Sequence, residues 1–348
     1  MRAPALASLL AMLVGACATM SPTGPAASGA SAGSAPAAPA WPQPDAPIRR
    51  LDTVLVDPAD RREIPLRLVY PDTGTGLPVV LFSHGAFSSG RDYDALLEAW
   101  AGRGYVVIAP THRDSTLLGT PRGAGDARHF PWRLDDMALL LRELESVLAT
   151  VPGLAARADA ARIGATGHSF GGLLAQSLGG ATYFDPAAAR AVARADPRVR
   201  AVVVFSGAGA FPPILRAEDF LALQRPTLVT VGTDDLPQAP GLTGQAWRRQ
   251  PWEYAAPGAK YLLTLEGADH YLGGMVGRDD LPRSPRGPLY VAAFQQVSSA
   301  FLDAYLRADA RARSWLDAEA RAAPAAGVAS DATTGAPGEA RVSRLQLR

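Results

Sequence analysis

Apolar runs rich in valine, leucine and isoleucine alternate along this chain with longer stretches of helical period, and glycine, proline and aspartate punctuate them. Leu51–Val56 and Ile64–Tyr70 read as two strands that turn at Asp57-Pro58-Ala59-Asp60. A strand at 79–83, a helix at 92–102 and a strand at 105–109 follow. The next helix spans 132–151, with Leu134, Met137, Leu141, Leu144, Leu148 and Val151 on one stripe. Further strands fall at 162–166, 200–205, 227–231 and 260–265, with a short helix at 170–179 and a closing helix at 288–307. Leu289, Val291, Ala292, Phe294 and Val297 are expected to pack that last helix on the sheet. Strands and helices alternating in this way predict an α/β domain, a mostly parallel sheet of about eight strands covered by helices on both faces. No insertion is long enough for a large cap domain.

The ends differ from this body. Met1-Arg2 precedes an apolar core, Ala5 to Ala16, too short to span a bilayer. It closes on Val14-Gly15-Ala16-Cys17, which resembles a bacterial lipobox in which Cys17 is lipidated. Residues 1–16 are therefore read as a lipoprotein signal peptide and 17–47 as the lipidated cysteine and a flexible Ala/Pro/Ser/Gly tether. Residues 48–321 are read as the folded domain, and 322–348 as a disordered tail whose Arg341, Arg344 and Arg348 are solvated. The expected location is exported and membrane-anchored through Cys17, with Ala18 favouring an outer membrane over an inner one; the leaflet stays open.

Composition narrows the function. Formal net charge is +1, charged residues are 19%, and no basic cluster marks the body, so nucleic acid is not an expected partner. One cysteine rules out an intrachain disulfide. No Cys/His ligand spacing and no phosphate-binding glycine loop occurs, so neither metal nor cofactor is implied.

Gly167-His168-Ser169-Phe170-Gly171-Gly172 stands between the strand at 162–166 and the helix at 170–179. Strand, Gly-x-Ser-x-Gly and helix in that order resemble the nucleophile elbow of α/β-hydrolases. Phe82-Ser83-His84-Gly85-Ala86 and the stretch from Gly104 to Asp114 extend the likeness over roughly residues 50 to 320. The nearest groups are platelet-activating-factor acetylhydrolases, which the Phe-Gly-Gly after the serine resembles most, cutinase-like polyester hydrolases and dienelactone hydrolases. Dienelactone hydrolases use a cysteine nucleophile where this chain has Ser169, and polyester hydrolases often place an aromatic where it has Ala86.

The resemblance implies a chain order of Ser, then Asp or Glu, then His. Of five histidines, only His270 follows Ser169. The acid falls after the strand at 227–231, at Asp234 or Asp235, and the Gly-x-x-Asp spacing favours Asp235. Asp269 reads as a loop-capping residue. The resemblance further implies an oxyanion hole from the N–H groups of Ala86 and Phe170, with His84 and His168 orienting their turns. His112 and His129 are read as loop-orienting hydrogen bonders, and Arg133 with Asp136 as a structural pair. The long segment Thr111 to Pro131 is expected to rim a pocket walled by Phe87, Trp132 and Tyr271, with Phe130, Tyr93 and Phe170 nearby. Trp247, Trp252 and Tyr254 fit either that wall or ordinary packing. The expected activity is a serine esterase, lipase-like, acting on short-acyl or lipid-like carboxylic esters. A peptidase, amidase or acyltransferase with the same triad is the alternative, and a non-catalytic envelope binding protein the more distant one. Oligomeric state is not legible.

Overall fold

A strand covered on both faces reads as a nearly continuous apolar run, and β3 (Leu77–Ser83), β4 (Val106–Pro110), β9 (Thr227–Gly232) and β10 (Lys260–Leu265) are buried throughout. The computed structural model describes residues 46–123, 128–185, 189–236, 244–322 and 343–348. The leader, Cys17 and the tether to Asp45 lie outside the described residues. Among those described, the main sheet has nine strands in the order β1-β2-β4-β3-β5-β8-β9-β10-β11. The remaining members are β1 (Ile48–Val56), β2 (Glu63–Pro71), β5 (Ala158–His168), β8 (Val199–Phe205) and β11 (Ser343–Leu347). The pairs β1/β2, β2/β4 and β10/β11 are antiparallel, and the rest of the ladder is parallel. A small hairpin of β6 (Tyr183–Asp185) and β7 (Arg190–Val192) stands apart.

Alternation along each strand splits the core into two layers. Val79 and Leu81 face Leu134, Leu141, Leu174 and Leu178 from α2 (His129–Arg142) and α5 (Phe170–Gly179). Val80 and Phe82 face Trp100, Phe294 and Phe301 from α1 (Asp94–Gly102) and α7 (Gly287–Leu306). The doubly covered, mostly parallel sheet is the expected fold class.

Three expectations need correction. The single helix at 132–151 is two, α2 and α3 (Leu144–Ala149), broken at Glu143, where φ is −94° and ψ 14°; a short α4 (Leu154–Arg157) follows. The apolar stripe continues across the break because Leu144, Leu148 and Val151 still reach the same core. On α7, Leu289 is 41% exposed; Phe294 and Val297 face inward, together with Ser298, Ser299 and Asp303.

The third correction concerns the tail. Ser343–Leu347 forms β11 rather than a disordered end, pairing with β10 so that Leu345 stands opposite Leu263 and is 4% exposed. Arg348 donates its backbone N–H to the Lys260 carbonyl, and its guanidinium bonds the carbonyls of Trp252 and Glu253 in α6 (Gly244–Tyr254). Five residues after an Ala/Gly/Pro-rich stretch carry little local strand signal, so only the waiting edge of β10 makes them one. Deleting residues 343–348 uncovers that edge and Leu263. Urea unfolding of the shortened protein is expected to show a loss of about 1–3 kcal/mol.

Candidate active site

β5 runs directly into Ser169, which sits at φ 52°, ψ −117° at the head of α5. A non-glycine residue there carries backbone strain of about 1–3 kcal/mol, tolerated only where the surroundings force it. The surroundings do so through glycine. A Cβ on Gly167 would lie 2.3 Å from the Gly171 carbonyl oxygen, and one on Gly171 only 2.0 Å from the Ser83 carbonyl oxygen. Ser169 N–H donates to the Phe205 carbonyl at the end of β8, 3.0 Å away. The half-buried serine thus stands where β3, β5 and β8 end, at the carboxyl edge of the sheet.

His270 enters this edge from the loop after β10. Its Nε2 lies 2.9 Å from Ser169 Oγ, and its Nδ1 lies 3.0 Å from Asp235 Oδ1. A carboxylate can only accept, so Nδ1 carries the proton and Nε2 is free to accept from the serine hydroxyl. Asp235 is completely buried; Asp234 is exposed and accepts from the Thr233 hydroxyl within the turn. Burial pushes the Asp235 carboxyl upward, but His270 and Arg248 outweigh it and bring it down to about 2. Asp269 caps its own loop, accepting from Tyr271 and Gly273 N–H at 3.0 and 2.8 Å.

Arg248 was not legible as a site residue. It lies in α6, within Trp247-Arg248-Arg249-Gln250, and nothing local separates it from its neighbour. In the fold it is 5% exposed, with Nε 2.7 Å from Asp235 Oδ1. Its Nη1 donates to the carbonyls of Ser206 at 2.8 Å and Gly207 at 3.3 Å.

The loop after β3 is held from beneath. Gly85 N–H donates to the Tyr93 hydroxyl, Ser88 N–H to the Gly85 carbonyl and Phe87 N–H to Asp114 Oδ2. Among the described residues, Ala86 N–H has no acceptor in this turn. The Arg133–Asp136 pairing does not form. Arg133 instead bonds Asp114 through Nε and Nη2, both 2.7 Å, because its position on α2 places it under the loop rather than along its own helix. It also donates to the carbonyls of His84 at 2.6 Å and Gly85 at 3.1 Å, and its guanidinium lies 4.6 Å over the Phe170 ring. Asp136 pairs with Arg62 at 2.6 Å and His112 Nδ1 at 2.8 Å. His112 Nε2 reaches Ser83 Oγ at 3.0 Å, so a second Ser-His-Asp chain exists, but it is wholly buried and braces β3 from behind. Desolvation holds His84 and His112 below the usual imidazole range, so neither carries charge near neutral pH.

His168 links the three parts. The Tyr93 hydroxyl stands 2.7 Å from its Nδ1, and its Nε2 donates to the His270 carbonyl at 2.9 Å. One buried imidazole, kept neutral mainly by desolvation, therefore ties the β3 loop through Tyr93 to the loop of His270. Of the expected wall residues, Tyr271 lies edge-on to the His270 ring at 5.1 Å. Phe87 is buried at φ 62° beside Ala86. Trp132 is half-buried between the guanidinium groups of Arg113 and Arg128, at 4.9 and 4.7 Å, with His129 beside it. Trp247 and Trp252 pack α6, donating to the carbonyls of Ala210 at 2.6 Å and Lys260 at 3.0 Å, while Tyr254 is exposed. Phe130 packs on Tyr183 and Phe170.

A family model for chlorophyllase matches residues 50–215. That span carries the sheet from β1 through β8, the β3 loop and Ser169, and it stops before Asp235 and His270. Together with the strand order and the sharp turn at Ser169, it decides the fold. The fold is that of the α/β-hydrolases. The chlorophyllase family is a family of α/β-hydrolase ester hydrolases. No curated protein matches the chain.

The turn at Ser169 depends on the absent side chain at Gly171. Gly171→Ala forces a methyl group into the Ser83 carbonyl, which is backbone and cannot rotate away. The expected result is a loss of roughly 4 kcal/mol or more, read as a collapse of the urea midpoint or as insoluble protein. Gly123→Ala, at φ 79° with open space around its Cβ position, is the comparison: it carries only the backbone strain of a left-handed residue, roughly 1–2 kcal/mol, without the clash.

Proposed function

We propose that this α/β-hydrolase cleaves carboxylic esters, through Ser169 as nucleophile, His270 as base and Asp235 as the acid that orients it. The observation that carries the reading is the unbroken hydrogen-bond chain Ser169–His270–Asp235 at the carboxyl edge of the sheet. The match to an ester-hydrolase family supports the choice of bond.

In the proposed reaction Ser169 Oγ attacks the ester carbonyl while His270 Nε2 takes its proton. The imidazolium is stabilised by the Asp235 carboxylate. The tetrahedral oxyanion is received by the N–H groups of Ala86 and Phe170, each such donor being worth about 3–4 kcal/mol. His270 returns the proton to the leaving alkoxide, which departs as the alcohol. Water, deprotonated by the same nitrogen, then attacks the acyl-enzyme, and collapse of that second intermediate frees the acid and restores Ser169.

The absence of a large cap among the described residues favours short-acyl or otherwise accessible esters. Hydrolysis of p-nitrophenyl acetate, butyrate, octanoate and palmitate is expected to fall with chain length. Ser169→Ala should lower kcat by at least about 1000-fold. Equal turnover in parent and variant would refute the assignment. Faster cleavage of matched amides than esters would shift it to a peptidase or amidase.

Membrane anchorage through Cys17, after export, completes the proposal. The apolar leader ending in Gly15-Ala16-Cys17 supports it. In a bacterial host the full chain is expected to partition into the detergent phase of Triton X-114, and Cys17→Ser into the aqueous phase. Equal partition of the two would remove the anchor from the proposal.

A further inference from the structure

Asp235 Oδ1 is shared between two partners of different kinds, a hydrogen bond from His270 and an ion pair with Arg248 whose Nε makes no hydrogen bond there. His270 Nδ1 approaches it at 3.0 Å and Arg248 Nε at 2.7 Å. Orientation of the imidazole requires only the first contact. The second places a guanidinium, almost fully buried, directly behind the acid. Its hydrogen bonds go to the neutral carbonyls of Ser206 and Gly207 and its guanidinium lies over the Trp247 ring, so Asp235 is the carboxylate paired with it among the described residues. A buried ion pair of this kind is costly to break, because either partner left alone is an uncompensated charge. The pair therefore keeps Asp235 ionised, and it also draws electron density from the oxygen that must stabilise a protonated His270.

The surroundings contain little else to do this. From the elbow, His168 stands 4.8 Å from the His270 ring and is neutral, bound to Tyr93 and to the His270 carbonyl. Tyr271 flanks from the same loop, and the Ser206 hydroxyl faces Asp235 from the end of β8. Asp234 is exposed in its turn, and Asp269 accepts from its own loop.

We propose that Arg248 is a positioning residue of the active site, a fixed buried cation that anchors the Asp235 carboxylate and shifts the working range of the Ser169–His270 pair toward lower pH. This rests on the triad reading above. The sign follows from Coulomb's law: removing a positive charge behind Asp235 favours the protonated imidazolium, so the base stays blocked to higher pH.

The test compares the parent with Arg248→Met, Arg248→Gln and Arg248→Lys, each checked for native circular dichroism. Glutamine keeps a donor for the Ser206 carbonyl, and lysine keeps the charge. The acid limb of kcat/KM for p-nitrophenyl acetate is expected to move up by about one pH unit in the two neutral variants, with lysine closer to the parent. A uniform fall in kcat at every pH, with the limb unmoved, would reduce Arg248 to a packing role and overturn the proposal. The histidine Cε1–H resonance that vanishes in His270→Asn supplies a readout that needs no turnover. Its titration midpoint should rise in the neutral variants, and an unchanged midpoint would also overturn the assignment. If the parent shows no Ser169-dependent turnover, the ester reading falls, while the resonance still decides the role of Arg248.

Discussion

The close approach of Gly171 to the Ser83 carbonyl is the constraint on which the site depends. It joins the first turn of α5 to the end of β3, a separation that no side chain fits between. Two consequences follow from that one contact. The backbone at Ser169 is forced to a positive φ, which lifts the hydroxyl clear of the strand. The loop that leaves β3 is brought beside the N-terminus of α5, so Ala86 N–H and Phe170 N–H come from neighbouring pieces of chain. The strain at Ser169 is held by the parallel ladder on either side, β3 and β8, both anchored in the two-layer core.

Around this contact the protein buries many polar groups, most of them paired, while the Gln176 side chain, Ser206 Oγ and Asp235 Oδ2 make no hydrogen bond among the described residues. Arg133 bonds Asp114 and two loop carbonyls, and Asp136 forms an ion pair with Arg62 and a hydrogen bond with His112. Each group would be costly if unpaired, but paired in a low-dielectric interior the set fixes one loop conformation. The two Ser-His-Asp chains make the contrast clear. Ser83–His112–Asp136 is sealed, and its hydroxyl has no route to a substrate. Ser169–His270–Asp235 differs in that the serine and histidine are only partly covered. Geometry of the triplet alone does not distinguish the two networks; burial does.

Much of the architecture was legible because the signal was local and strong. A strand covered on both faces reads as a nearly continuous apolar run, and a turn as tight as the elbow admits only glycine at its flanks; both leave their mark in consecutive residues. The break at Glu143 was not legible, since the apolar stripe on either side keeps its period. β11 was not legible either, since five residues become a strand only when an unpaired edge is presented to them.

Within the site, chain order singled out His270, and spacing favoured Asp235 over Asp234. The folded chain distinguishes the two carboxylates by depth: one is wholly buried against His270 and Arg248, the other turned to solvent. Residue type and order along the chain thus determined the sheet, the elbow and a short roster of candidate groups. Only the tertiary structure decided which charges meet. The pairing of Arg133 with Asp114 rather than Asp136, and of Arg248 with Asp235, joins residues from separate elements. Such pairings are selected by desolvation, which acts on a side chain only after the layers around it have closed.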